Sequence, residues 1–516
     1  MKTNSLLPPE QMQHFFQNSL RLTLLLAALS ACLTATATPP APRPNIVMIF
    51  TDDQRHDAVG YCGNNAVHTP HLDRLARQGT VFTNCFVNTS ICAISRANLL
   101  SGQYPGRHGI DDFFKTFSPT QLQETVPARL RESGYQTAFF GKWGIGDSPE
   151  RTQEAAGIFD YWAGQPMQTC YFHDASCQYV KGNGFANPPE NLCNCPADSR
   201  GISGFRNRIG RANLSAPLHV DADVIPGHVR RFLEGRDTEK PFCLLIFFKS
   251  PHSPFEDWAP ETEHVTDGLT MPVPPGATLA NAEKEPEVVR KSLGRNTGMR
   301  YLKEPPFLEA HIRDYYRLIT SMDRGVGKIL GSLRTAGVEE NTVILFTSDN
   351  GHFLGEHGLA GKWLMHEPSL RVPGFFYDPR NQGGTIRNEM VITTDFSVTM
   401  LALAGLSRPP NMSGRDLCQL TKSSEPEWRD AFYYDHPYGH QGAIPRTEGV
   451  RTGQYAYMRY RDTTPLFEQL FDLYADPCQR DNLATASAHQ NMSQEVLNQM
   501  RKQCDSLAGE TATASQ

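Results

Sequence analysis

The stretch Pro44-Asn45-Ile46-Val47-Met48-Ile49-Phe50-Thr51-Asp52-Asp53 decides the fold. Its unbroken apolar run, rich in β-branched side chains, reads as a strand buried on both faces. Two acids then stand at its carboxyl end. Carboxylates at the end of a core strand are costly unless paired or metal-bound. In open α/β sheets that edge is where ligands sit. Taken alone, the dipeptide fits a helix cap and a surface acid equally well.

Working outward, further strands are expected at 80–86, 135–140, 241–248, 342–347 and 371–377, and helices at 69–79, 127–133, 225–234, 307–336 and 395–405. This alternation is that of an α/β domain, a large sheet sandwiched by helices. Three of the strands end on chemistry. The strand at 342–347 delivers Ser348-Asp349-Asn350-Gly351-His352, then Gly355-Glu356-His357-Gly358 and Lys362. The strand at 135–140 ends in Gly141-Lys142-Trp143-Gly144, and that at 241–248 runs into Lys249-Ser250-Pro251-His252. The bland alternatives are a solvated Lys142 and a buried His252 bonded to backbone.

Between the second and third strands lies Ser90-Ile91-Cys92-Ala93-Ile94-Ser95-Arg96-Ala97-Asn98-Leu99-Leu100-Ser101-Gly102. A helix starting here places Cys92 near its positive end, with Arg96 about one turn on. Both favour an anion beside Cys92. A buried structural cysteine is the competing reading.

The chain has 516 residues, 20% of them charged, a net charge of -6 and no long run of one sign. That gives no support for nucleic acid binding, so any anion site is local. The 41 Gly and 37 Pro imply many loops. Arg21 precedes an apolar run at 22–33 that is short for a membrane span and reads as an export signal within 1–37. Leu29-Ser30-Ala31-Cys32 resembles a lipobox, which leaves Cys32 lipid-anchored; the alternative is cleavage after Ala37. The expected location is the periplasm, an outer-membrane lipoprotein, or the medium. Of 12 cysteines, eleven follow Cys32. Outside the cytoplasm pairing is the default, so Cys170, Cys177, Cys193 and Cys195 are expected in disulfides, and Cys92 to be unpaired or chemically altered. Loop insertions are expected near 147–220 and 257–306 of a catalytic domain at 43–407. Short strands with turns at 408–509 read as a small antiparallel subdomain, and 510–516 as a frayed tail.

Asp52, Asp53, Asp349 and Asn350 are hard oxygen donors that suit Ca²⁺ or Mg²⁺. With Arg96, Lys142, Lys362 and His252 they describe a site for a tetrahedral oxyanion ester. In this order, from about Arg43 to about Ala484, the motifs closely resemble the type I sulfatases of the alkaline phosphatase superfamily. They close with Phe471-Asp472-Leu473, Asp476-Pro477 and Asn482-Leu483. The resemblance implies an alkaline phosphatase-like mixed sheet and a sulfatase acting on a sulfated carbohydrate. It also implies that Cys92 is oxidised by a maturation enzyme to formylglycine, whose hydrate is the nucleophile and a metal ligand. By the same resemblance Arg96 steadies that hydrate. Lys142, His252 and Lys362 grip the sulfate, and His252 protonates the leaving alcohol. Asp52, Asp53, Asp349 and Asn350 hold the metal, usually Ca²⁺ in the family. A covalent sulfate ester then forms and eliminates sulfate.

Two positions depart from the family pattern. Ile94 stands where the signature has Pro or Ala, a position that helps the maturation enzyme recognise the motif. Gly144 stands where a His helps break the intermediate, leaving His352 or His357 as candidates to substitute or to contact substrate. The competing functions are a phosphoesterase or phosphonate hydrolase on the same scaffold, and a non-catalytic sugar-binding lipoprotein.

Overall fold

Every residue of β1 (Asn45–Thr51) is buried, because its two faces feed two different cores. Ile46, Met48 and Phe50 enter one, and Val47 and Ile49 the other. The computed structural model describes residues 43–146, 149–166, 170–181, 215–381, 383–422, 426–485 and 490–512. Pro44–Gln516 forms a single unit. The export signal, Cys32, Cys193 and Cys195 lie outside the described residues.

In chain order the strands are β1, β2 (Thr80–Phe86), β3 (Gln136–Lys142), β4 (Tyr161–Gln165), β5 (Phe172–Asp174), β6 (Pro217–His219), β7 (Phe242–Phe247), β8 (Thr342–Ser348), β9 (Phe353–Leu354), β10 (Ala360–Gly361), β11 (Phe375–Tyr377) and β12 (Thr385–Ile392). Eight of them make one mixed sheet in the order β12-β2-β11-β8-β1-β7-β3-β4. The block β8-β1-β7-β3-β4 is parallel throughout. β11 runs antiparallel to its neighbours β8 and β2, while β12 is parallel to β2. The helices Cys92–Ser101, Val126–Glu132 and Thr393–Leu403 supply Leu99, Leu130 and Leu401 to the core on one face. Pro70–Gln78, Ile225–Gly235 and the 31-residue helix Pro305–Thr335 supply Leu72, Val229 and Ile319 to the other.

The C-terminal strands β13 (Ala431–His436), β14 (Thr447–Thr452), β15 (Tyr455–Tyr460) and β16 (Phe467–Asp472) form an antiparallel meander. Alternation splits its faces. Phe432, Tyr434, Met458 and Phe471 join the core of the large sheet. Tyr433, Val450, Tyr457 and Leu470 pack with Leu497, Met500 and Cys504 of the helix Gln490–Ala512.

Several expectations change. The region 147–220 is not only loop: β4 extends the large sheet there, beside β3. The excursion at 257–306 contains the short helices Leu279–Lys284, Glu287–Arg290 and Arg295–Lys303, and the one or two helices expected at 307–336 are a single helix, Pro305–Thr335. β12 went unread because its first half is exposed and polar at a sheet edge. The last helix runs through Ala512, past the point where a frayed tail was expected. The default of cysteine pairing fails at Cys62, Cys85, Cys243, Cys418, Cys478 and Cys504, which carry thiols. Cys85 and Cys243 are core side chains of strands, and a small buried thiol packs there as an apolar group. Among the described residues no helix is long and apolar enough to cross a membrane.

Candidate active site

The carboxyl ends of four adjacent parallel strands converge. Thr51 of β1 lies opposite Ser348 of β8, and Phe247 of β7 is in register with Phe50 and Gly141. The residues that follow each end, Asp52-Asp53, Asp349-Asn350 and Lys249 to His252, therefore meet Lys142, the last residue of β3. The backbone ties these ends together: Asp52 N donates to Ser250 O at 3.2 Å, and Asp349 N to Thr51 O at 3.0 Å. Asp53 takes a left-handed backbone, φ 66°, a conformation uncommon outside glycine and tolerated best by Asn and Asp. It is fixed from both sides. Asp53 N donates to Asp349 Oδ1 at 3.2 Å, and Tyr315 Oη donates to Asp53 O at 2.6 Å.

The side chains form one buried ionic network. Arg96, fully buried, donates to Asp349 Oδ2 at 2.9 and 3.1 Å and to Asp52 Oδ2 at 3.0 Å. A fourth donation, from Nη1 to Lys142 O at 2.7 Å, ties Arg96 to the end of β3. Lys142 Nζ bonds Asp52 Oδ2, and Lys362 Nζ bonds Asp53 Oδ1. Asn350 Nδ2 donates to Asp53 Oδ1 at 2.5 Å. His252 Nε2 and His352 Nδ1 stand 3.8 and 3.7 Å from Asp53 Oδ2. Three carboxylates thus face three permanent cations.

Burial by itself would raise Asp52 and Asp53, but the cations reverse this. Lys142, His252, Lys362 and Arg96 hold Asp52 below the usual carboxylate range. Lys362 and the two histidines hold Asp53 well below it. Asp349 goes the other way: burial and the Asp52 charge push it up to about 7 against Arg96. Burial pulls His252 down to about 4, and Nδ1 of His252 lies 2.8 Å from Ser253 O. A carbonyl only accepts, so Nδ1 carries the hydrogen and the Nε2 lone pair faces Asp53 in the neutral ring.

Cys92 opens the helix Cys92–Ser101, all ten residues of which are buried. The helix is therefore core on every side rather than amphipathic. Against burial, Asp349 and Asp52 raise Arg96, and Asp53 and Asp52 raise Lys362. The donor set fits a hard cation on an independent observation: Asp52 Oδ1 and Asn350 Oδ1 are buried oxygens with no hydrogen-bond partner. Buried acceptors are rarely left so, and both belong to the expected ligand set.

Of the sequence-derived residues, Asp52, Asp53, Arg96, Lys142, His252, Asp349, Asn350, His352 and Lys362 come together in this network. His357 does not join it; its ring contacts Glu285, Phe353 and His366. Three supporting residues escaped the sequence reading. Asp221 accepts from Ser250 N at 2.7 Å and pins the turn that carries His252. Lys249 lies with Nζ 4.3 Å over the Tyr171 ring and is pushed by burial down to about 8. Tyr171 Oη donates to His252 O at 2.5 Å. Lys249 had a signal, a lysine leaving a core strand just before Pro-His; Asp221 and Tyr171 come from distant, irregular segments and had none.

The family model described as Sulfatase matches residues 44–406, and that described as N-sulphoglucosamine sulphohydrolase, C-terminal, matches residues 355–506. The chain is similar to an N-acetylglucosamine-6-O-sulfatase of Bacteroides thetaiotaomicron, 26% identical over 545 residues, covering 92% of this chain and 89% of the relative. It is also similar to an arylsulfatase of Clostridium perfringens, 28% identical over 472 residues, covering 89% and 93%. A solved structure of a protein in complex with its substrate D-glucosamine-2-N,6-O-disulfate shares the fold, with a TM-score of 0.69 at 23% identity over 92% of this chain and 100% of that one.

Proposed function

The chain belongs to the sulfatase family and is a sulfuric ester hydrolase, and from that premise we propose that it removes sulfate from a sulfated carbohydrate. The reading rests on one observation above the others: the oxygen donors Asp52, Asp53, Asp349 and Asn350 and the cations Arg96, Lys142 and Lys362 share a single buried network at the carboxyl edge of the sheet. A sulfated sugar as substrate is supported by the relative named for N-acetylglucosamine 6-O-sulfate and by the neighbour bound to a disulfated glucosamine.

Cys92, oxidised by a formylglycine-generating maturation enzyme, would supply a hydrated aldehyde as the nucleophile. Asp52, Asp53, Asp349 and Asn350 would hold Ca²⁺, which polarises the sulfate oxygens and the attacking hydroxyl. Arg96 fixes Asp52 and Asp349 in position and lies one helical turn from residue 92. Lys142 and Lys362, held by Asp52 and Asp53, would bring two positive charges to the sulfate. His252, its Nδ1–H held by Ser253 O, would protonate the leaving alcohol from Nε2, an atom that takes up a proton first because burial keeps the ring neutral. Tyr171 and Lys249 wall the site beside His252.

We further assign the chain to the cell envelope, anchored by lipid at Cys32. Palmitate incorporation that is lost in Cys32→Ala supports the anchor; equal release of both forms by signal cleavage overturns it. Two measurements test the function. The peptide containing residue 92, from protein made in its own host, is expected to carry formylglycine by mass spectrometry. A panel of defined sulfated saccharides is expected to release sulfate in a Ca²⁺-dependent way. An unmodified thiol together with no sulfate release would overturn the reading.

A further inference from the structure

A second set of metal-ligating side chains meets outside the carboxylate network. Glu285 follows the short helix Leu279–Lys284, His357 sits in the turn Glu356–Gly358, and His366 directly precedes the helix Glu367–Leu370. All three are buried, and one donor atom from each lies within 4.8 Å of the others. His357 Nδ1 is 2.7 Å from Glu285 Oε1, and the His357 and His366 ring centroids are 4.4 Å apart. Phe353 and Phe471 close the surroundings with rings 6.1 and 5.9 Å from that of His366.

Proximity alone would describe an ion pair with a spectator ring. His366 argues for more. It is fully buried, yet neither ring nitrogen has a hydrogen-bond partner. A buried imidazole is normally held through at least one nitrogen, and this one lies within reach of a carboxylate and a second imidazole.

We propose that Glu285, His357 and His366 form a second metal site, one that takes a borderline divalent ion of the Zn²⁺ class. Two imidazoles and one carboxylate suit zinc, and they are a poor set for Ca²⁺, which takes six to eight oxygens. Donors about 2.0–2.1 Å from a tetrahedral zinc sit roughly 3.3 Å apart, so the Glu285–His357 contact opens by about half an ångström to admit the ion. Water or hydroxide completes the fourth position, and hydroxide leaves the buried group neutral. His357 and His366 bracket residues 358–365, the segment that brings Lys362 to Asp53. The ion therefore staples both ends of that segment to the 279–285 region. The sulfatase reading is not needed for the site, and its test does not use turnover.

Untagged full-length protein is equilibrated with Zn²⁺ or Co²⁺, desalted and assayed for metal by mass spectrometry. One tightly held equivalent is expected. The Co²⁺ form is expected to show the strong visible bands of a tetrahedral centre, which Zn²⁺ abolishes. His366→Gln and Glu285→Gln should lose the equivalent and the bands, whereas Asp53→Asn, altered in the other cluster, should keep both. Zinc X-ray absorption of the wild type should show two imidazoles, a result that does not depend on any variant folding. The proposal is overturned if the wild type retains no zinc, if folded His366→Gln retains it, or if Asp53→Asn loses it.

Discussion

Gly144 has a left-handed backbone, φ +73°, and a Cβ placed there would stand 3.1 Å from Arg96 Cδ and 3.3 Å from Lys142 Cε. Glycine suits this backbone, and any larger residue would need Arg96 and Lys142 to shift by a few tenths of an ångström. The departure from the family pattern has a local physical cause, one that no reading of Gly141-Lys142-Trp143-Gly144 could reach, since it depends on a side chain 48 positions away in sequence. His352, its ring 5.9 Å from that of Tyr315 and its Nδ1 3.7 Å from Asp53, is the remaining imidazole in the network besides His252. Asp52, Asp53, Lys142, His252, Asp349 and Asn350 were legible because they stand at or just past the ends of strands with unbroken apolar runs, whereas Arg96 lies inside a helix. Ile94 is the other departure. It is buried in the first turn of the Cys92–Ser101 helix, where backbone N–H groups lack intrahelical partners and proline is tolerated. Ile94→Pro therefore keeps the turn but loses buried methylenes, at a cost of about 1–3 kcal/mol. If residue 94 limits recognition by the maturation enzyme, the formylglycine fraction at position 92 rises in Ile94→Pro, read by mass spectrometry of host-made protein. An unchanged fraction would show that isoleucine is accepted.

At the scale of elements, β13 braces the turn before Cys92 from outside the large sheet. Thr89 Oγ1 donates to Asp435 O at 2.6 Å, and Asp435 N donates to Asn88 O at 3.1 Å. Tyr434 Oη accepts from Ser90 N at 3.3 Å and donates to Trp363 O at 3.4 Å, linking the turn before Cys92 to the residue after Lys362. Tyr434→Phe keeps the ring and removes that link. Unfolding stability should fall by about 1 kcal/mol, the usual net worth of one or two neutral hydrogen bonds. The two tied segments carry Cys92 and Lys362, the nucleophile and a sulfate-gripping lysine of the proposed function, so kcat should drop by roughly 10-fold or more, with KM changing less; an unaltered kcat would mean that β13 is a scaffold only. The C-terminal strands were readable as a separate antiparallel group. Their role in the site was not, because Tyr434 looks like any inward residue of an alternating strand. A second element carries a pH signature. Asp323, in the helix Pro305–Thr335, accepts from Leu72 N at 2.8 Å and His71 N at 3.2 Å and so caps the helix Pro70–Gln78. Burial pushes its carboxyl from 3.8 up to about 7. A carboxyl that holds its proton more tightly when folded stabilises the fold fully below its unfolded value. That contribution shrinks as pH rises from about 4 to about 7, by at most about 4 kcal/mol. The unfolding midpoint of the wild type relative to Asp323→Asn should therefore fall over that window; a flat difference would mean the carboxyl is ionised throughout.

For the molecule as a whole, the charge of the chain and the charge of its site are separate matters. The net charge is -6, but the site balances three carboxylates against Arg96, Lys142 and Lys362. The sheet explains how: strands β8, β1, β7 and β3 lie side by side and parallel, so their carboxyl ends open at one edge. That much follows from continuous apolar runs ending in polar residues; the strand expected at 371–377 is realised only at Phe375–Tyr377, and the edge strand β12 was indistinct because its first half is exposed. A site whose own charges balance has a definite preference once a divalent cation is bound. A divalent cation adds two positive charges, the ionised nucleophile removes one, and a sulfate monoester, a monoanion, removes the other. A phosphate monoester above its second pKa of about 6 carries nearly two negative charges and leaves one uncompensated in a buried site. An uncompensated buried charge costs about 3 kcal/mol or more, which corresponds to roughly 10²-fold. The Ca²⁺-loaded, formylglycine-bearing enzyme should therefore turn over an aryl sulfate at least about 10²-fold better in kcat/KM than the matching aryl phosphate at pH 8. The ratio should narrow as pH falls below about 6 and the phosphate becomes a monoanion. A ratio near unity at pH 8, or one that widens on acidification, would mean that the charge count around Asp52 and Asp53 does not set the choice of ester, and a ratio below one would favour a phosphoesterase on this scaffold.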